Sequence, residues 1–140
     1  MHIDLPKMTE ELKRDEGYRD TVYHCSAGKL TLGYGHNVED NPIPEKIAEA
    51  LLQHDIAETI AQCERFPWFY PLDGVRKRVI INMVFNMGYG SVSSFRRMIT
   101  AIENQEWKEA ALEMQDSRWY DQVGARAERL CYMMETGEDA

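Results

Sequence analysis

The chain of 140 residues has little cysteine and no long hydrophobic segment. Its three cysteines, Cys25, Cys63 and Cys131, are an odd number whose spacing fits no zinc motif, so we predict free thiols in a reducing compartment and no metal site. No run of about 18 apolar residues occurs, which excludes a membrane-spanning helix. The first residues lack the basic and apolar regions of a secretory signal, so we expect synthesis in the cytoplasm.

Basic residues are scarce relative to acidic ones. Lys and Arg number 16 against 24 Asp and Glu, which gives a net charge of −8. Binding to nucleic acid needs clustered basic groups, so we expect no nucleic-acid partner. With 44% hydrophobic and 29% charged residues, the composition is typical of a soluble globular protein. We expect a monomer without stable membrane association, built as one domain or as two small lobes that share a helix.

Hydrophobic periodicity predicts mostly helices. The first is predicted from Pro6 to Glu16, and another from the N-cap Asp73 to Gly88. A long helix over residues 44–65 carries one apolar stripe, formed by Ile47, Ala48, Leu51, Leu52, Ile56, Ile60 and Cys63. Further helices are predicted from Ser91 or Ser93 to about Asn104, and over residues 106–115, 118–122 and 125–136.

Residues 21–36 predict a small antiparallel sheet. Residues 21–23 and 30–32 are strand-like, and the Ser-Ala-Gly sequence between them is typical of a turn. Residues 37–44 are polar with two prolines, which indicates a loop. The predicted fold class is therefore α+β, mostly helical.

Glu16 ends the first predicted helix, immediately before Gly17. Glycine is a typical helix stop because it enters the left-handed region without steric cost. The carboxyl of Glu16 can therefore point at the neighbouring sheet and be partly desolvated there. The alternative is an ordinary solvated glutamate.

The positions that follow Glu16 carry a recognisable spacing. Eight residues separate Glu16 from Cys25, and five separate Cys25 from Thr31. This pattern resembles the catalytic motif of the phage-type lysozymes, the T-even phage endolysin family of glycoside hydrolases, in which aspartate or less often cysteine holds the middle position. The resemblance continues in order along nearly the whole chain, through residues 31–36, 81–88, 117–120 and 126–129.

The resemblance implies a lysozyme-like architecture and activity. Residues 1–43 would form a lobe with a helix and a small sheet, residues 44–65 a connecting helix, and residues 66–140 a helical lobe. The protein would be a muramidase that needs no cofactor and hydrolyses the β-1,4 bond between N-acetylmuramic acid and N-acetylglucosamine in bacterial peptidoglycan, after release from the cytoplasm. Two alternatives stay open: a lytic transglycosylase on the same bond, and a wall-binding protein with weakened catalysis.

The resemblance also assigns roles at the catalytic centre. Glu16 would be the general acid, Thr31 would hold a water, and Arg126 would lie beside Glu16 and orient it. Cys25 is the main departure from the usual aspartate. An ordinary thiol has a pKa of about 8.5 and is mostly protonated at neutral pH. Whether Cys25 acts as a base, a nucleophile or a placeholder is therefore left open.

Other matched positions would surround this centre. His36 would form a structural ion pair with Asp55 on the long helix. Trp119 is predicted to lie in the core rather than to serve as a sugar platform, and Cys63 and Cys131 are also predicted core residues. The substrate groove would be lined by residues that offer a close backbone approach, an apolar face or hydrogen-bond donors, namely Gly33, Gly35, Phe85, Asn86, Ser117 and Arg118.

Overall fold

A computed structural model describes residues 2–140. Within them the chain forms eight helices and one three-stranded sheet, in the order α1 (Leu5–Glu16), β1 (Arg19–His24), β2 (Leu30–Gly33), β3 (His36–Asn37), α2 (Glu45–Cys63), α3 (Gly74–Met87), α4 (Tyr89–Ser93), α5 (Arg96–Glu103), α6 (Trp107–Gln115), α7 (Arg118–Val123) and α8 (Ala125–Thr136). The predicted α+β class is confirmed. None of the helices in residues 2–140 combines the length and the apolar character needed to cross a membrane.

The chain divides into two compact units. The first extends to Ala50 and the second covers Leu51–Ala140. The division falls inside α2, so the helix predicted as a connector begins in the first unit and ends in the second.

The first unit contains α1, the sheet and the start of α2. Asp4 caps α1 by accepting a hydrogen bond from the Lys7 backbone N–H at 3.1 Å, and Gly17, with φ +72°, ends the helix as predicted. Strand β1 pairs antiparallel with β2, with Tyr23 opposite Thr31, and β2 pairs antiparallel with β3. Helix and sheet therefore meet over a short connection of two residues.

The hydrophobic core lies in the second unit. Helix α3 is central to it, and its Val79, Ile80 and Met83 are fully buried. Burying such a side chain contributes about 1.5–3 kcal/mol relative to leaving it exposed. The remaining core residues come from the segment after α2 and from the later helices, and they include the predicted core residues Cys63, Trp119 and Cys131.

A buried arginine joins α3 to the end of α8. Arg76 Nε donates to the Met134 carbonyl at 2.7 Å, and Nη2 donates to the Glu135 carbonyl at 3.0 Å. Its Nη1 pairs with the N-cap Asp73 at 3.0 Å, and its Cζ lies 4.1 Å from the Trp107 ring centroid. The last carbonyls of a helix have no partner within the helix, so Arg76 satisfies them and fixes the C-terminal segment.

The prediction of a single helix that begins at Ser91 or Ser93 is wrong, because the structure has two helices there, α4 and α5. Ser93 Oγ donates to the Tyr89 carbonyl at 2.8 Å, and Ser94 Oγ donates to the Ser91 carbonyl at 2.6 Å. These hydroxyls bond back to carbonyls instead of accepting from N–H groups at a helix start. The serines thus favour the end of α4, and α5 begins without a side-chain cap.

The apolar stripe predicted for α2 is not buried along its length. Cys63 at its end is buried, whereas Ile47, Leu51 and Leu52 are exposed. Periodicity identifies which face of a helix can be buried, but burial also needs an apolar layer to pack against. Among the described residues of the first unit only Thr31 is buried, so Ile47 has no such layer within its own unit.

Candidate active site

Glu16 lies against the turn between β2 and β3. A methyl group added to Gly35 would lie 2.5 Å from Glu16 Oε2 and 2.8 Å from its Cδ. Gly35 also has φ +69°, a conformation that side chains disfavour. The backbone at Gly35 therefore makes room for the carboxyl. At Gly33, the other predicted groove glycine, an added methyl would meet no atom within 4 Å.

The partial burial predicted for Glu16 is not observed. The residue is exposed, which matches the solvated alternative. The reason is that Glu16 packs on a glycine, which has no side chain to cover the carboxyl. The carboxyl is thus positioned by the backbone while staying open to a ligand.

Cys25 begins the hairpin turn between β1 and β2. Its N–H donates to the Lys29 carbonyl at 2.9 Å, and its carbonyl accepts from the Gly28 N–H at 2.8 Å. The side chain is half-buried and forms no disulfide. A closed turn therefore holds the thiol at the motif position.

Hydrogen bonds lower the pKa of the Cys25 thiol below its usual value. The backbone of Lys29 contributes most and the backbone of Ala27 follows; partial desolvation acts in the opposite direction, and the Thr31 side chain lowers the pKa further. A lowered pKa raises the thiolate fraction near neutral pH. The hydrogen bonds of the turn thus favour the thiolate form of Cys25.

Thr31 supports this hairpin from β2. It is 2% exposed, and its Oγ1 donates to the Lys29 carbonyl at 2.9 Å. A hydroxyl has one proton, so Thr31 donates either to this carbonyl or to the sulfur of Cys25, and a thiolate favours the second arrangement. The role of Thr31 in holding a water stays a prediction.

His36 and Asp55 each have a hydrogen-bond partner within their own unit. His36 Nε2 lies 3.0 Å from the Asn41 carbonyl oxygen, which accepts when the ring proton is on Nε2. The backbone carbonyl of Asp55 accepts from Thr59 Oγ1 at 2.7 Å. The predicted ion pair between His36 and Asp55 joins residues of the two units and stays a prediction.

In the second unit, Arg126 is held by Asn82. Arg126 Nε donates to Asn82 Oδ1 at 2.8 Å. Both residues lie on the wall of a cavity of about 770 Å³, whose other lining residues are mostly apolar and include Ile56, Ile60, Ile81, Phe85, Leu130 and Met133. Asn82 is missing from the predicted site. Its position, one helical turn before Asn86 on an otherwise apolar helix, is a sequence feature that could have indicated a site residue. The pairing of Arg126 with Glu16 stays a prediction.

Two of the remaining predicted groove residues, Asn86 and Ser117, have side-chain hydrogen bonds. Asn86 Oδ1 accepts from Trp119 Nε1 at 2.9 Å, and Trp119 is 7% exposed, as a core residue should be. Ser117 Oγ caps α7 and donates to a backbone carbonyl at 2.7 Å, so its proton is already in use. The exposed Arg118 and the Asn86 amide nitrogen are left as donors. The substrate contacts of Phe85, Asn86, Ser117 and Arg118 stay predictions.

The fold and the first unit together define a class of protein. Cleaving a glycosidic bond takes an acid for the leaving oxygen and a second group that deals with the anomeric carbon. Glu16 on its glycine turn suits the first task, and Cys25, whose thiol pKa is lowered, is a candidate for the second. A mostly helical chain with a small antiparallel sheet that carries these groups has the features expected of a lysozyme-like glycoside hydrolase.

Comparison with known proteins identifies the family. The sequence profile of the phage lysozyme family matches residues 13–132. The chain is 33% identical to "Probable T4-type lysozyme 1" of Dictyostelium discoideum over 163 aligned positions, covering 95% of this chain and 96% of that protein. It is 30% identical to the "Pre-baseplate central spike protein Gp5" of Enterobacteria phage T4 over 159 positions, covering 93% of this chain and 28% of that protein. The chain therefore belongs to the phage lysozyme family, as the motif spacing predicts.

A phage relative matches over a shorter stretch. The "Endolysin" of Acyrthosiphon pisum secondary endosymbiont phage 1 is 41% identical over 92 positions, which cover 63% of this chain and 61% of that protein. Membership of the family makes this protein a lysozyme-type hydrolase.

Proposed function

We propose that the protein is an endolysin-type muramidase that hydrolyses the β-1,4 bond between N-acetylmuramic acid and N-acetylglucosamine in bacterial peptidoglycan. The observation that supports this best is the Glu16 carboxyl seated on Gly35, at the family's spacing from Cys25 and Thr31. The enzyme acts on the cell wall after release from the cytoplasm. Residues Arg118, Asn86 and Phe85 of the second unit contact the glycan.

In the proposed reaction Glu16 protonates the bridging oxygen as its bond to the anomeric carbon breaks. Positive charge develops on the sugar ring, and a nearby negative group stabilises it. The Cys25 thiolate supplies that charge, and Thr31 holds the water whose oxygen adds to the anomeric carbon. The proton that this water loses returns to the Glu16 carboxylate, so that both groups regain their starting states and hydrolysis consumes one water.

The thiol at position 25 also supports a second candidate, a lytic transglycosylase. In that reaction the 6-hydroxyl of the muramic acid residue attacks the anomeric carbon, so one carboxyl suffices. A partly protonated thiol in place of a carboxylate is compatible with this route.

Product masses distinguish the two reactions. Purified peptidoglycan is digested with the protein, and the released fragments are analysed by mass spectrometry. The muramidase proposal expects fragments with ordinary reducing ends. Fragments lighter by one water identify a transglycosylase, and the absence of released glycan fragments contradicts both proposals.

A further inference from the structure

An exposed aromatic pair flanks Glu16 in the first unit. Tyr18 and Tyr34 have ring centroids 5.4 Å apart at an interplanar angle of 44°, and they are 65% and 48% exposed. Tyr18 follows the helix stop after Glu16, and Tyr34 immediately precedes Gly35, on which the Glu16 carboxyl rests. The pair therefore borders the proposed catalytic acid.

A lysine lies over the Tyr34 ring of this pair. Lys13 Nζ is 5.4 Å from the Tyr34 ring centroid, a cation–π distance. Lys13 forms no salt bridge with any residue between His2 and Ala140, although its own helix carries Glu10, Glu11 and Asp15. The aromatic ring thus holds an ammonium group that is available to an external anion.

We propose that Lys13, Tyr18 and Tyr34 form a binding site for the stem peptide of the strand being cleaved. This inference rests on the proposed function. The Lys13 ammonium binds a stem carboxylate, and the tyrosine rings contact the methyl groups of the stem's alanines. In intact peptidoglycan each lactyl carboxyl that bears a stem is bound to it as an amide, so the sugar there carries no free carboxylate. The carboxylates of the stem peptide remain, and charge complementarity with the Lys13 ammonium therefore favours the stem over the sugar. The ammonium also covers one face of Tyr34, which leaves less ring surface for stacking on a sugar.

Two substrates test this proposal. One is intact peptidoglycan. The other is the same glycan after an amidase has removed the stems and the lactyl carboxyl groups freed by it have been converted to methyl amides, so that this glycan carries no carboxylate. Wild-type protein is expected to have the lower KM on the intact substrate. Lys13→Gln should raise KM on intact peptidoglycan roughly two- to fivefold, the range of an exposed ion pair, with kcat unchanged and no effect on the stem-free glycan. Lys13→Arg should keep the wild-type KM.

Matched variants separate this site from a general charge effect. Lys7→Gln removes the same charge from an exposed position on the same helix and should behave as wild type on both substrates. Tyr18→Ala should also raise KM on the intact substrate alone, in a protein whose helical circular dichroism is unchanged.

Other results overturn the inference. If Lys13→Gln and Tyr18→Ala changed KM equally on the two substrates, Lys13, Tyr18 and Tyr34 would bind sugar or act through Glu16 instead of binding the stem. Unchanged KM in Lys13→Gln and Tyr18→Ala would mean that the surface binds nothing. A wild-type protein that cleaves neither substrate would refute the proposed function itself, a result distinct from either of these.

Discussion

Replacing Gly35 with alanine is expected to displace the Glu16 carboxyl. The added methyl would lie 2.5 Å from Oε2, whereas ordinary van der Waals contact begins at 3.4 Å, so the carboxyl has to move by the difference, 0.9 Å. A misplacement of about 1 Å at a reacting group costs on the order of 10²-fold in rate. The positive φ of residue 35 adds about 1–2 kcal/mol of strain. We therefore expect lysis of purified walls to fall about 100-fold, with a modest loss of unfolding free energy.

Gly88→Ala is the matched control. Gly88 lies outside the Cys25 turn and has φ +93°, so alanine there also carries backbone strain, but its methyl would meet no atom within 4 Å. Turbidity assays on purified walls and urea unfolding are compared for both variants. We expect similar losses of stability, with the large loss of activity confined to Gly35→Ala. Equal activities in the two variants would refute the idea that Gly35 makes room for a catalytic Glu16.

The remaining predictions concern Cys25 and Asp73. If Cys25 acts as a thiolate, Cys25→Asp should keep or raise the rate of wall lysis and Cys25→Ala should lower it. The wild-type rate should also rise with pH toward the lowered pKa of the thiol. Equal rates for all three proteins from about pH 5 to 9 would exclude this role. At Asp73, desolvation raises the carboxyl pKa, but hydrogen bonds from the Arg76 backbone and guanidinium outweigh it and lower the pKa overall. The ionised Asp73 therefore stabilises the fold fully at pH values above its pKa in the unfolded chain, about 3.9. This stabilisation is lost as pH falls through its lower pKa in the folded protein. Asp73→Asn should cost up to about 1 kcal/mol at pH 7 in urea unfolding and close to nothing at about pH 2, and a gap independent of pH would contradict the pairing.

Local signals explain why many helix ends could be predicted. Asp73 and Gly88 mark α3 because an N-cap side chain and a C-terminal glycine act within one turn of the helix end. The break between α4 and α5 could not be predicted in this way, since Ser93 can either cap a helix or bond back to a carbonyl. The exposed Ile47 shows a second limit of sequence-based prediction. Hydrophobic periodicity identifies an apolar face of a helix, but it does not identify the residues that would pack against that face.

The site shows the same division between local and distant information. Motif spacing predicts Glu16, Cys25 and Thr31, and the structure places Cys25 and Thr31 in one hairpin. The contact of Glu16 with Gly35 depends on how the turn folds back on α1, which no spacing reveals. The hydrogen bond of Asn82 to Arg126 joins residues 44 positions apart, so the sequence alone gives it no support.

The central claim is that Glu16 is the general acid, and Glu16→Gln tests it most directly. Glu16 is exposed, so the substitution should change the free energy of unfolding by no more than about 0.5 kcal/mol. Glu10→Gln, which makes the same change at an exposed position on the same helix, is the control. Rates of wall lysis are measured for both variants, with circular dichroism to verify the fold. We predict a loss of at least about 10²-fold for Glu16→Gln and wild-type lysis for Glu10→Gln. Near wild-type lysis by a folded Glu16→Gln protein would contradict the assignment.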